Sequence, residues 1–300
     1  MRFVTAQRNN KIFVGIVEES EKVVHLHLAE QAMQKRMTLP PSLLECIALG
    51  DEFLNRVNEI AAWVKENPST QYMYDLHDVR LLAPIPRPSK NIFCIGKNYA
   101  DHAIELGGKS DIPQHLIVFS KAPTTVIGHE ETVLRHADVT DELDYEGELA
   151  VVIGKRGKAI RKEEALDYVF GYTIINDITA RDLQERHQQY LLGKSLDTFC
   201  PMGPWIVHQS LIENPNKLQI ETKVNGEIRQ KASTEQFIFN VETIIETISR
   251  GITLEPGDII ATGTPAGVGK GMKPPRFLQA GDVVEITIEG IGTLRNKIGE

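Results

Sequence analysis

The chain has 300 residues, 41% of them hydrophobic and 25% charged, a balance that builds a sizeable core and excludes a disordered or low-complexity chain. Lys and Arg number 33 against 41 Asp and Glu, a formal net charge of −8. That argues against a general nucleic-acid binder, whose affinity comes chiefly from basic side chains neutralising phosphates.

From the amino terminus, Met1–Arg8 meets charge too early for a signal peptide. No later run approaches the roughly 18 apolar residues of a membrane span. The isolated cysteines Cys46, Cys94 and Cys200 suggest neither a disulfide framework nor a paired metal motif. A cytoplasmic protein without membrane insertion is the expectation.

Residues 1–80 read as a small α+β domain. Lys11–Val17 and Val23–Leu26 have strand composition, whereas Leu43, Leu44 and Ile47, then Leu54, Val57, Ile60, Ala61 and Val64, recur at helical spacing. Gly50-Asp51 breaks the two helical sets. This domain gathers no reactive groups, so packing, dimerisation or a protein partner is its expected use. Residues 81–90 carry Pro84, Pro86 and Pro88, an extended connector. Residues 91–300 are strand-rich: Ile92–Ile95, Leu149–Ile153 and Tyr172–Ile175 are continuous apolar runs, and Val284–Ile288 alternates. Helical patterns recur at Lys162–Val169 and Val241–Ser249. The fold class expected is α+β, dominated by β-structure.

Chemistry-bearing residues concentrate in this larger part. Asp138, Asp141, Glu142, Asp144, Glu146 and Glu148 lead into the strand Leu149–Ile153. Residues two apart on a strand share a face, so Asp144, Glu146 and Glu148 would project together. Such a row is either a solvated edge or half of a site for a hard divalent cation, which takes carboxylate oxygens. Asn176-Asp177 follows a second apolar strand; if a helix follows, Asp177, Arg181 and Gln184 share one face of it. The alternative is that Asp177, leaving a buried strand, simply caps the next helix. His102 and Glu105 stand three apart, a spacing that pairs an imidazole with a carboxylate on one helical turn. The stretch Gly263–Gly271 is no phosphate loop, because Thr264 stands where its first glycine belongs and Lys270 is followed by Gly271. Met272 likewise replaces the third glycine of a dinucleotide fingerprint.

Five segments, Gly96–His102, Tyr145–Leu149, Asn176–Asp182, Gly193–Ser195 and Thr262–Pro265, resemble in order and spacing the fumarylacetoacetate hydrolase family. The resemblance covers about residues 90–300 and looks closest to bacterial oxaloacetate-decarboxylating and acylpyruvate-cleaving members. It implies a mixed β-sandwich roll around a Mg²⁺ or Mn²⁺ ion, in a homodimer. By that resemblance Glu146, Glu148 and Asp177 are the metal ligands, and Arg181, Gln184, Lys194 and Thr264 hold the 2-oxo acid. Lys194 also acts in catalysis, with His102 and Glu105 as the dyad of a short lid helix over Asp101–Gly107. Lys97 stands where many relatives have Arg, and a point charge does not replace a planar fork.

The implied activity is metal-dependent C–C cleavage of small 2-oxo dicarboxylates through an enolate, first oxaloacetate decarboxylation to pyruvate and CO₂. Acylpyruvate hydrolysis and 2-hydroxyhepta-2,4-diene-1,7-dioate isomerisation use the same enolate. A non-catalytic binding protein is the alternative from another class.

Overall fold

The computed structural model describes all residues 1–300. A mixed twelve-stranded sheet organises it, in the order Met73–Asp75, Lys22–His25, Lys11–Val17, Arg2–Arg8, Cys200–His208, Val169–Asn176, Gly147–Ile153, Ile259–Ala261, Ile92–Gly96 and Ile117–Lys121. Two short strands, Arg80–Leu81 and Val126–Ile127, pair off this path. A second sheet of five strands runs Glu227–Ser233, Gln219–Val224, Val283–Ile288, Gly292–Ile298 and Thr132–Val133.

The apolar runs follow from how these layers stack. Successive side chains of a strand point to opposite faces. Leu149, Val151 and Ile153 therefore pack with Ile220, Val284, Ile286 and Leu294 of the smaller sheet. Ala150 and Val152 face the other way, into a core shared with Phe53, Val57 and Ile60. Both faces are covered, so the strand is apolar throughout. Val283–Ile288 has alternate residues buried, because only one of its faces is covered.

The first 80 residues join the same sheet. Arg2 and Phe3 pair antiparallel with Val207 and Ile206, and the Phe3 ring lies 5.3 Å from Phe53 and 5.1 Å from Phe170. Helix Asp51–Glu66 buries Phe53, Val57, Ile60 and Val64 against this core. Gly50, at φ +58, separates it from the helix Leu43–Ala48, which Ser42 and Glu45 cap reciprocally. Leu26 opens the helix Leu26–Gln34 instead of ending a strand, because the His25 ring accepts the Leu28 N–H.

Two further details depart from the sequence pattern. Lys162–Tyr168 is a 3₁₀ turn, and Val169 already belongs to a strand opposite Ile153. Ladder pairing there outweighs local helical spacing. No helix is long and apolar enough to cross a membrane.

Candidate metal centre and active site

Strand register builds the centre. Gly147–Ile153 runs antiparallel to Val169–Asn176, with Gly147 opposite Asn176. Glu146 and Asp177 thus stand side by side just beyond the paired ends, and the Asp177 N–H donates to the Glu146 carbonyl at 2.8 Å. The Asn176 side chain returns a bond, accepting the Glu146 N–H at 3.0 Å. Glu148, two residues on, shares the face of Glu146. One carboxylate oxygen from each of Glu146, Glu148 and Asp177 lies within 4.8 Å of the others, and all three residues are buried.

Like charges so close and so dry require compensation. The Lys194 ammonium lies 2.8 Å from both Glu146 Oε2 and Asp177 Oδ2. Arg181 reaches Glu146 Oε1 through Nη1 and Asp144 Oδ2 through Nε, each at 2.8 Å. Lys121, fully buried, donates to Asp177 Oδ1 at 2.6 Å and to the Ile178 carbonyl at 2.9 Å. Burial disfavours the Glu146 charge, but Lys194 and Arg181 outweigh it and hold its carboxyl at about 2. For Lys194, burial works against the charge and the Asp177 and Glu146 carboxylates overcome it, raising the ammonium.

Glu148 differs from its two neighbours. No side-chain cation pairs with it; its donor is the Gly263 N–H, at 2.8 Å. Burial, then the Asp177 and Glu146 charges, push its carboxyl well above the usual range. Three converging hard oxygens, one of them lacking a cation, suit a hard divalent ion such as Mg²⁺ or Mn²⁺.

Above the triad opens a cavity of about 300 Å³, whose lining includes His102, Arg181, Gln184, Lys194 and Thr264. His102 and Glu105 lie on the helix Ala100–Leu106, with Nδ1 2.8 Å from Glu105 Oε1. Asn98 roots that helix: buried, it donates to the carbonyls of Thr262 and Phe239. The Glu105 carboxylate also accepts the Gly267 N–H at 3.0 Å. Gly267 is obligatory, since its φ is +105 and a Cβ would fall 1.9 Å from the Arg229 carbonyl oxygen.

Of the acidic run only Asp144, Glu146 and Glu148 reach this region, and they join Asp177, His102, Glu105, Arg181, Gln184, Lys194 and Thr264 there in arrangements that differ in part from the periodicity. Asp144 is not on the strand Gly147–Ile153 that carries Glu148 and that Glu146 precedes. It pairs in Leu143–Asp144 with Thr179–Ala180, and its carboxylate accepts from Arg181 and from the N–H groups of Gly269 and Lys270. Asp177 lies outside the helix Arg181–His187, so only Arg181 and Gln184 share a helical face. The Gln184 amide oxygen accepts from Arg181 at 3.2 Å. The Thr264 hydroxyl donates to the Gly147 carbonyl and accepts from Gln230. Arg181 Nη2 is buried without a partner, a free donor beside a cavity.

Lys121 escaped the pattern. It ends the strand Ile117–Lys121 as any solvated lysine could, and only the fold carries it beneath Asp177.

Residues 91–299 match the family model described as fumarylacetoacetate (FAA) hydrolase C-terminal. Oxaloacetate tautomerase YisK of Bacillus subtilis is 57% identical over 302 residues, all of both chains. The solved fumarylacetoacetate hydrolase of Exiguobacterium antarcticum is 43% identical, with a TM-score of 0.83 over 100% of this chain and 99% of that one. Maleylpyruvate hydrolase from Sphingobium sp. SYK-6, solved with manganese(II) ion and pyruvate, is 27% identical, with a TM-score of 0.78 over 100% and 99%.

Proposed function

The chain belongs to the fumarylacetoacetate hydrolase family, and from that premise we propose that it interconverts the enol and keto forms of oxaloacetate at a divalent cation held by Glu146, Glu148 and Asp177. The likeness over its whole length to a protein named oxaloacetate tautomerase carries this reading. It displaces decarboxylation as first choice, because a tautomerase leaves the C3–C4 bond intact.

When bound, the cation supplies Lewis-acid stabilisation of negative charge on the 2-oxo oxygen. The protein's own groups do the rest. Arg181 Nη2, buried and unpartnered, is the donor available to the C1 carboxylate, with the Gln184 side chain beside it. Lys194 contributes positive charge at the cavity floor as the enolate forms. Glu105 occupies His102 Nδ1, which leaves Nε2 to exchange a proton at C3. In the keto direction the O–H bond at C2 breaks, its electron pair becomes the carbonyl, and the C2=C3 pair forms the new C3–H bond. Closure of the helix Ala100–Leu106 over the floor keeps bulk water from that proton.

Freshly dissolved enol oxaloacetate tests the reading with Mn²⁺-loaded protein. Ultraviolet absorbance follows enol loss, and a coupled dehydrogenase follows pyruvate. Enol loss should outpace the blank without matching pyruvate release, and a chelator should abolish the acceleration. No acceleration with metal present, or pyruvate formed as fast as enol is lost, overturns the proposal.

A further inference from the structure

Exposure of the cations around the cavity rises from floor to rim. Arg181 and Lys194 at the floor are 2% exposed and committed to Glu146, Asp177 and Asp144. Two further lysines line the same cavity, Lys97 and Lys270, each 27% exposed. Lys97 lies 3.6 Å from Asp111, which is 40% exposed. Lys270 pairs with Glu185, which is 66% exposed. Ion pairs with partners so solvated are weak and readily exchanged. The rim therefore offers two cations to a second carboxylate, while at the floor only Arg181 Nη2 is uncommitted.

The two flank the helix that carries His102 and Glu105. Lys97 lies three residues before its first residue, Ala100. Lys270 belongs to the turn Gly269–Gly271, where a Cβ on Gly271 would stand 2.4 Å from Glu105 Oε2. Both lysines line the cavity that His102 also lines.

Resting on the reading above, we propose that Lys97 and Lys270 bind the C4 carboxylate of a 2-oxo dicarboxylate and so confine the reaction to proton transfer. Tautomerisation leaves the negative charge of that carboxylate in place, so the lysines stabilise ground and transition states alike. Decarboxylation moves it. The C3–C4 electron pair becomes the C2=C3 bond of an enolate, the charge passes to the C2 oxygen, and neutral CO₂ leaves; C3 then takes one proton to give pyruvate. Cations fixed at C4 oppose that transfer by holding the starting carboxylate more firmly than the departing CO₂. Glu185 competes with the substrate for Lys270.

Pyruvate and oxaloacetate differ by this one carboxylate, and calorimetric titration of each into Mg²⁺-loaded protein tests the assignment. Replacing both lysines by Met should weaken oxaloacetate by about tenfold or more, the worth of a charge-assisted bond, and move pyruvate by less than about threefold. Glu185→Gln, which frees Lys270, should tighten oxaloacetate alone. Equal weakening of both ligands, or an unchanged ratio between them, overturns the carboxylate site. Pyruvate released per oxaloacetate tautomerised should rise in the double variant; an unchanged proportion overturns the control of outcome. If the unaltered protein fails to accelerate tautomerisation, the proposed function falls, while the two titrations still decide the lysines.

Discussion

At the scale of single residues, the site is a contest between burial and charge. Glu148 is the carboxyl of the triad without a cation, and ion binding requires it ionised. Glu148→Ala should therefore lower Mn²⁺ affinity in calorimetry, and turnover with it. Unchanged affinity would place the ion elsewhere in the acidic run. Lys121 shows the opposite dependence. Removing a buried cation strands its partner's charge, a change that costs about 3–5 kcal/mol. Lys121→Met should lower stability by about that much in urea denaturation without metal. A loss below about 1 kcal/mol would mean that Lys194 alone suffices for Asp177. Asp177, Glu146 and Glu148 were readable in the sequence because each sits where an apolar run begins or ends. Lys121 was not, since its strand says nothing of what packs beneath it.

At the scale of elements, the helix Ala100–Leu106 carries the proton-transfer pair and is tied down at two points, Asn98 behind and Gly267 in front. His102→Ala should slow tautomerisation by about 10²–10⁴-fold, the usual worth of a positioned acid–base group, with Mn²⁺ affinity unchanged. Hydrogen exchange over residues 101–112 should slow when oxalate is added to the metal-loaded protein; equal exchange in both states would remove closure from the mechanism. A second element responds to pH. His25 caps the helix Leu26–Gln34 through a neutral ring nitrogen and stacks on Phe13 at 4.2 Å. Burial, then the neighbouring His27, pull it from 6.5 to about 4. The folded state thus resists a proton that the unfolded chain accepts below about 6.5. Its contribution is whole above that pH and lost as pH falls through the window down to about 4. His25→Asn, which keeps a capping oxygen, should flatten the dependence of the urea midpoint on pH between 7 and 4.5. A parallel curve would assign the acid sensitivity to other groups.

At the scale of the whole molecule, the two parts of the chain share a sheet and a core. Phe3, Phe53 and Val57 pack with Phe170, Ile175, Met202 and Ile206. A chain starting at residue 81 would bare that apolar face and the edge of Cys200–His208, so it should aggregate or unfold without cooperativity. A soluble fragment unfolding cooperatively would show that the parts fold separately. The residues by themselves determined much here: strands apolar on both faces, the two carboxylates spaced by one residue, the His102–Glu105 turn and the family blocks are all local patterns, and local patterns need only periodicity and side-chain chemistry. Only the tertiary structure decided that Asp144 leaves the row of Glu146 and Glu148 for Arg181, that Val169 joins a strand, that Lys121 lies beneath Asp177, and that Lys97 and Lys270 line one cavity. Each of these joins residues far apart in the chain, and such meetings are set by strand register and layer packing, which no single segment encodes.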